Sequence, residues 1–268
     1  MCELFAVSSD RPVVIQMTLR EFQRHGGETA NNSDGWGIAF YEDNDARIIR
    51  ESEAAATSEH LDYLRGHACA SRNIIAHIRQ ASVGNTRLQN TQPFTRVLSG
   101  RLHTFAHNGD LYDLPEEPLM SPFSPLGDTD SERAFSALMH RLWSASERRG
   151  TIPEYPERLE IVVDFTEALK GLGIFNFLYC DGEYLFAHSH KRTQADGEIK
   201  PPGMHLLQRD GAIHEHHDIA GIDVEFGHSH AKMSLVASVP LSSEPWEALD
   251  TDSLVALKDG QAISRVAL

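Results

Sequence analysis

Cys2 is the residue in this chain whose chemistry is simplest to name. Once the initiator methionine is removed, which a small second residue permits, one residue carries both a thiol and a free α-amino group. A thiol is a weak nucleophile until something takes its proton, and an α-amine with a reference pKa near ~8 is among the few groups poised to do so around neutrality. A cysteine at position two is more often incidental than catalytic, so the other polar segments must decide. Four of them stand beside glycine: Ser33-Asp34-Gly35-Trp36-Gly37, His77-Ile78-Arg79-Gln80-Ala81-Ser82-Val83-Gly84, His107-Asn108-Gly109-Asp110 and Gly127-Asp128-Thr129-Asp130-Ser131-Glu132. Each also has a plain structural reading. Asn108-Gly109 makes a hairpin turn, Arg79 ends a strand, Asp130 caps a helix, and Ser82 is a structural hydroxyl.

The elements that would position these groups can be read from hydrophobic spacing. Residues 4–7 form an apolar run that predicts a buried strand and would hold Cys2 in a fixed place. Residues 14–25 carry apolar positions at roughly helical spacing, stopped by Gly26-Gly27, and predict a helix. Residues 36–41 and 46–50 flank a polar stretch and predict a β-hairpin. Residues 73–79 and 102–107 predict strands that end at polar residues, and 116–128 predicts a loop. Thr129 or Asp130 is expected to cap a helix running to Trp143, and a second helix is expected over 156–169. Further strands are expected at 174–180, 184–188, 204–207, 234–238 and 254–257. Strands and helices come in blocks, which favours an α+β layered sandwich with largely antiparallel sheets over a doubly wound parallel fold.

The chain has 268 residues, a formal net charge of −15 and 41% hydrophobic residues. That length suffices for one continuous domain over 1–268, with the mature chain starting at Cys2. No apolar run approaches the ~18 residues of a membrane span, and no basic-then-apolar leader opens the chain, so no membrane association and a cytoplasmic location are expected. Three cysteines, Cys2, Cys69 and Cys180, sit at no metal-like spacing and are expected to be reduced thiols. The acidic balance and scattered Lys and Arg argue against nucleic acid.

Taken in order, Cys2, the Arg79 segment, Asn108-Gly109 and the Asp130 segment resemble the class II glutamine amidotransferases, members of the N-terminal nucleophile hydrolase family. The ordered set covers about the first half of the chain. The second half resembles the standalone members more loosely, through 176–181 and 238–246. The resemblance implies a four-layer αββα sandwich of two mainly antiparallel sheets between helices. It implies that the Cys2 thiolate attacks the side-chain amide of glutamine, that the Cys2 α-amine moves the proton to the leaving ammonia, and that a thioester forms and is hydrolysed. Asn108 and the Gly109 amide would form the oxyanion hole, where fixed donors supply roughly 3 to 4 kcal/mol each. Arg79 would pair with the α-carboxylate through its planar fork. Asp130, selected over Asp128, would bind the α-ammonium, and Ser82 would contact substrate. The chain departs from relatives with a synthetase domain at Asn31-Asn32-Ser33-Asp34, at Gln80 and at Val83, positions where the residues of those relatives help couple glutamine binding to the acceptor site.

Fifteen histidines invite a metal reading, above all His214-Glu215-His216-His217 and the pairs His188/His190 and His228/His230. No carboxylate or thiolate completes a recognisable site, so neither metal nor cofactor is expected. The first expectation is therefore a glutamine amidohydrolase, acting alone or delivering ammonia to an acceptor-enzyme partner. A γ-glutamyl amide hydrolase of a small-molecule biosynthetic pathway is the alternative, since Arg79 and Asp130 read only the amino-acid end. A non-catalytic binding domain that keeps the fold is the third.

Overall fold

The computed structural model describes residues 2–17, 24–28, 30, 32–67, 69–82, 84–115, 121–211, 222–225 and 231–268. Strands are β1 Glu3–Met17, β2 Trp36–Glu42, β3 Asp45–Glu51, β4 Ala70–Ile78, β5 Phe94–Leu98, β6 Arg101–Asn108, β7 Asn176–Cys180 and β8 Leu185–Ser189. They continue as β9 Arg192–Thr193, β10 Ile199–Lys200, β11 His205–Gly211, β12 Ile222–Glu225, β13 Ala231–Ala237, β14 Glu247–Ala248, β15 Ser253–Lys258 and β16 Gln261–Ala267. Helices are α1 Glu59–Gly66, α2 Asp130–Arg149 and α3 Tyr155–Leu169.

One sheet runs β14-β11-β13-β1-β4-β2-β3 with β12 also paired to β1, and the other runs β16-β15-β8-β7-β6-β5. Every pairing is antiparallel. Strand periodicity of two sorts each strand into two cores. From β1, Leu4 and Ala6 enter the space between the sheets, where they meet Ala106, Leu178, Cys180 and Val255 of the other sheet. Phe5 and Val7 point the opposite way and pack with Trp36, Ile38, Ala55 and Leu61, under α1. On the far face of the second sheet, Phe105 and Phe177 pack with Phe135 of α2 and Phe165 of α3. Phe105 lies 5.4 Å from Phe135 and 5.4 Å from Phe177, aromatic pairs worth about 0.5–1.5 kcal/mol each beyond burial. The order is helix, sheet, sheet, helices, the α+β sandwich expected.

Local chemistry sets the helix ends. Thr129, not Asp130, is the N-cap of α2, accepting from Glu132 N at 3.2 Å. The helix passes Trp143 and stops at Arg149, where Gly150 takes φ +70° and closes the last turn on Ser146 O. The helix expected over 14–25 is corrected at its start. Residues 14–17 continue β1 beyond an irregularity between Ser8 and Val13, with Val14 opposite Ala70 of β4 and Glu225 of β12. Ladder partners from distant segments outweigh local apolar spacing there. Residues 18–23 of that expectation lie outside the described residues, as do 116–120 of the expected loop, while 24–25 at its end are helical.

Candidate active site

Strand registers bring the polar segments to one end of the sandwich. Glu3 is opposite Ile78 on β4, Trp36 of β2 is opposite the same Ile78, and Asn108 of β6 is opposite Asn176 of β7. Residues 106 positions apart in sequence therefore meet: the Asn108 side-chain Nδ2 donates to the Cys2 carbonyl at 2.6 Å. Asn108 is held in turn by Asn176, whose Nδ2 donates to Asn108 O at 3.1 Å and to Lys191 O at 2.8 Å, while its Oδ1 accepts from His190 N at 2.8 Å. Asn108 Oδ1 is buried with no hydrogen-bond partner among the described residues.

The Cys2 Sγ lies 3.3 Å from both the N and the O of Gln80. Burial raises the thiol pKa above its ordinary value, and the Asp110 charge adds to this. The Gln80 backbone and the Arg79 charge act the other way. The resting thiol is thus protonated at neutral pH, and making it a nucleophile requires a base. Gly109 follows with φ +146°, and a Cβ there would stand 1.8 Å from Ile174 O, so only glycine permits the contact.

Arg79 is buried, and its guanidinium donates to Asp34 O at 3.3 Å, Gly84 O at 3.2 Å and Asn85 O at 3.4 Å. These bonds fold the segment after β4 back on itself. Asp34 Oδ2 ties the same segment down by accepting from Ala81 N at 2.8 Å. Ser82 is exposed and donates to the Asp110 carboxylate. Asp130 Oδ2 accepts from Leu111 N at 2.7 Å, which fastens α2 to the residues after Asn108-Gly109. His107 lies between these parts. Its Nε2 donates to Ile174 O at 3.0 Å and its Nδ1 is 2.8 Å from Ser131 Oγ, with burial holding the imidazole below its ordinary pKa and therefore neutral. His77 is fully buried with neither ring nitrogen partnered among the described residues, and burial together with the Arg79 charge pushes its pKa down to about 3.

Cys2, Asn108, Gly109, Arg79 and Ser82 therefore share one end of the sandwich, and Asp130 joins them through Leu111. Sequence reasoning gave no site role to Gln80, noted only as a departure from relatives, or to Asp110 and Asn176, which stood inside the quoted segments. The first two adjoin Arg79 and Gly109 and were legible by adjacency. Asn176 depends on the pairing of β6 with β7, for which no local signal exists. Among the described residues no group of three His, Cys, Asp or Glu side chains could hold a metal ion. The segments 214–217 and 228–230, and the departures at Asn31 and Val83, lie outside those residues. No described helix is long and apolar enough to cross a membrane.

The family model for class-II glutamine amidotransferases matches residues 1–267. A Haemophilus influenzae protein whose name assigns it to the glutamine amidotransferases is 32% identical over 99% of this chain and 87% of its own length. A Methanocaldococcus jannaschii protein of uncharacterised function is 32% identical over 98% of this chain and 71% of its own. Among solved structures, a Pseudomonas aeruginosa protein, itself a glutamine amidotransferase by prediction, superposes with a TM-score of 0.68 at 28% identity, covering 98% of this chain and 100% of its own. The glutamine phosphoribosylpyrophosphate amidotransferase of Bacillus subtilis superposes with a TM-score of 0.57 at 14% identity, covering 99% of this chain and 49% of its own. That last likeness is one of fold, and the match of sequence and family model over the whole length carries the assignment: this chain belongs to the class-II glutamine amidotransferases.

Proposed function

We propose that the chain, acting as one unit over residues 1–268, hydrolyses the side-chain amide of glutamine through a thioester on Cys2. The bond between Asn108 Nδ2 and the Cys2 carbonyl carries this reading, because it sets an amide donor beside the residue that bears the thiol. In the reaction, the sulfur attacks the amide carbon and the carbonyl electron pair moves onto oxygen. Donors fixed at Asn108 and the Gly109 amide are worth most at that moment, when the charge is largest. The thiol proton passes to the Cys2 α-amine and from there to the departing nitrogen, which leaves as ammonia. Water then attacks the thioester, glutamate leaves and the thiol is restored. A thiol raised by burial suits this sequence, since its proton is lost to the amine only as the carbon–sulfur bond forms. Arg79 and Asp130 would take the α-carboxylate and the α-ammonium, with Ser82 at the pocket mouth.

The experiment is ammonia release from glutamine by purified protein, with γ-glutamyl amides as parallel substrates and Cys2→Ala as the control. Glutamine turnover that falls at least ~10⁴-fold in Cys2→Ala supports the reading. Turnover that survives the substitution, or intact mass showing Met1 still attached to an active enzyme, overturns the mechanism. Amine release from the γ-glutamyl amides with no turnover of glutamine would move the assignment to that substrate class.

A further inference from the structure

We propose that Arg192 is a specificity-determining residue on the leaving-group side of the same site, selecting γ-glutamyl amides whose departing amine carries a carboxylate, that is, γ-glutamyl amino acids. This rests on the Cys2 thioester reading above and names a substrate class that glutamine, with a bare amide nitrogen to lose, does not represent. The strand that begins beside Cys2 has a cation on either flank. β1 pairs with β4 on one side and with β13 on the other, and Arg79 directly follows β4. Just past β13, Ser238 N donates to Leu4 O at 3.0 Å and Leu4 N donates to Ser238 Oγ at 3.1 Å, while Arg192 Nη1 donates to Ser238 O at 3.1 Å. A second route leads to the same place. Asn176 Nδ2 bridges Asn108 O and Lys191 O, the carbonyl next to Arg192, and Asn108 in turn donates to the Cys2 carbonyl. A substrate lying across Cys2 with its α-carboxylate at Arg79 therefore sends its amine half towards Ser238 and Arg192.

Arg192 is half-buried, and most of its hydrogen-bonding capacity is unspent. The bond to Ser238 O is the one its guanidinium makes among the described residues, and Nε is buried there without a partner. Burial holds its pKa below the ordinary arginine value, against the charge of Glu3, and the group stays cationic at neutral pH. Glu3 itself is engaged elsewhere, with His25 Nδ1 at 2.8 Å and Asn32 Nδ2 at 3.4 Å. His205, at the start of β11, has Nδ1 buried with no partner among the described residues, and burial, then the Arg192 charge, hold its imidazole neutral. A guanidinium with its Nε edge open matches a carboxylate, which accepts two parallel N–H bonds from such an edge. The chemistry balances as it does for glutamine: the carbon–sulfur bond forms, the carbon–nitrogen bond breaks, and the thiol proton reaches the departing nitrogen, which leaves as a free amino acid before water releases glutamate.

The test compares γ-glutamylglycine with γ-glutamylglycinamide, which differ in the charge of the leaving half and little in size. Selectivity is read as the ratio of Kd values by calorimetry in the Cys2→Ala background, and as the ratio of kcat/KM values in protein that keeps the thiol. With Arg192 present, the carboxylate form is expected to bind at least ~10-fold more tightly. Arg192→Gln, which keeps a polar side chain and loses the charge, is expected to lower both ratios about 10- to 100-fold, and Arg192→Lys to keep part of the preference. Equal binding of the two amides with Arg192 in place, or binding of neither, overturns the inference, and this arm decides the point even where the variants do not fold. An Arg192→Gln protein that loses equally on both amides also overturns it, since Arg192 would then only support the segment after β8. Failure to turn over glutamine and both amides would sink the thioester reading instead, while the Kd ratio would still judge Arg192, so the two failures are distinct.

Discussion

The two ends of the sandwich both bury polar groups, and they treat them differently. At the end away from Cys2, Tyr41 Oη lies 2.8–3.0 Å from Leu102 O, Thr104 Oγ1 and Cys180 O. Arg158 of α3 donates to Asp181 at 2.9 Å, Glu183 at 3.1 Å and Pro153 O at 2.6 Å, and its guanidinium lies 5.1 Å from the Tyr184 ring centre. Asp181 further accepts from the Glu183 and Tyr184 amides. At the Cys2 end, both nitrogens of His77 and the Oδ1 of Asn108 have no partner among the described residues, and Gly109 holds backbone that no other residue could occupy. A saturated polar cluster serves as scaffold, joining helix to sheet. An unsaturated one costs stability, and it stands at the end of the sandwich that holds Cys2.

This contrast can be broken or sharpened by experiment. Arg158→Met should cost about 3–5 kcal/mol, since it strands the buried Asp181 without its cation, and turnover per folded molecule should stay near wild type. Urea unfolding beside ammonia release separates the two effects; a large loss of turnover in folded protein would contradict the scaffold role. Asn108→Ala should do the reverse, lowering kcat by about 10²–10³-fold, or about 3–4 kcal/mol in barrier, with a smaller loss of stability.

Acid should weaken both ends. Burial depresses His77 to about 3, His103 to about 4 and His188 to about 3 in the folded chain. The unfolded chain binds these protons near pH ~6.5, so stability is full above that value and falls as pH drops towards 4, by about 1.4 kcal/mol per pH unit for each histidine. Urea midpoints at pH 7, 6 and 5 measure the slope, and a flat profile would contradict the buried neutral state. Smallest of all, His77→Leu should change stability at pH 7 by less than about 1 kcal/mol, because it removes two unpartnered nitrogens together, and should flatten the acid slope by one histidine's share.

What could be read from the chain beforehand was whatever is written locally. Hairpin β2–β3, helices α2 and α3, and the order of Cys2, Arg79, Asn108-Gly109 and Asp130 all rest on short-range patterns of spacing, capping or motif. Helix α1, with Ser58 accepting from Leu61 N at its start, was overlooked because its eight residues carry a single fully buried apolar residue, Leu61. Strands β5 and β16 were missed too; β16 alternates half-buried with exposed residues and has little hydrophobic signal. The extension of β1 through 14–17 and the support of Asn108 by Asn176 depend on pairings between residues far apart in sequence, and no local window holds that information.

Cys180 offers a use of its own. It sits in the layer shared by the two sheets, wholly out of contact with solvent, and burial together with the Asp181 charge holds it as an unreactive thiol. A thiol-specific reagent can reach that sulfur only when the sheets part. Pulse labelling with peptide mapping would therefore let this cysteine count the molecules that have opened completely, with no engineered reporter.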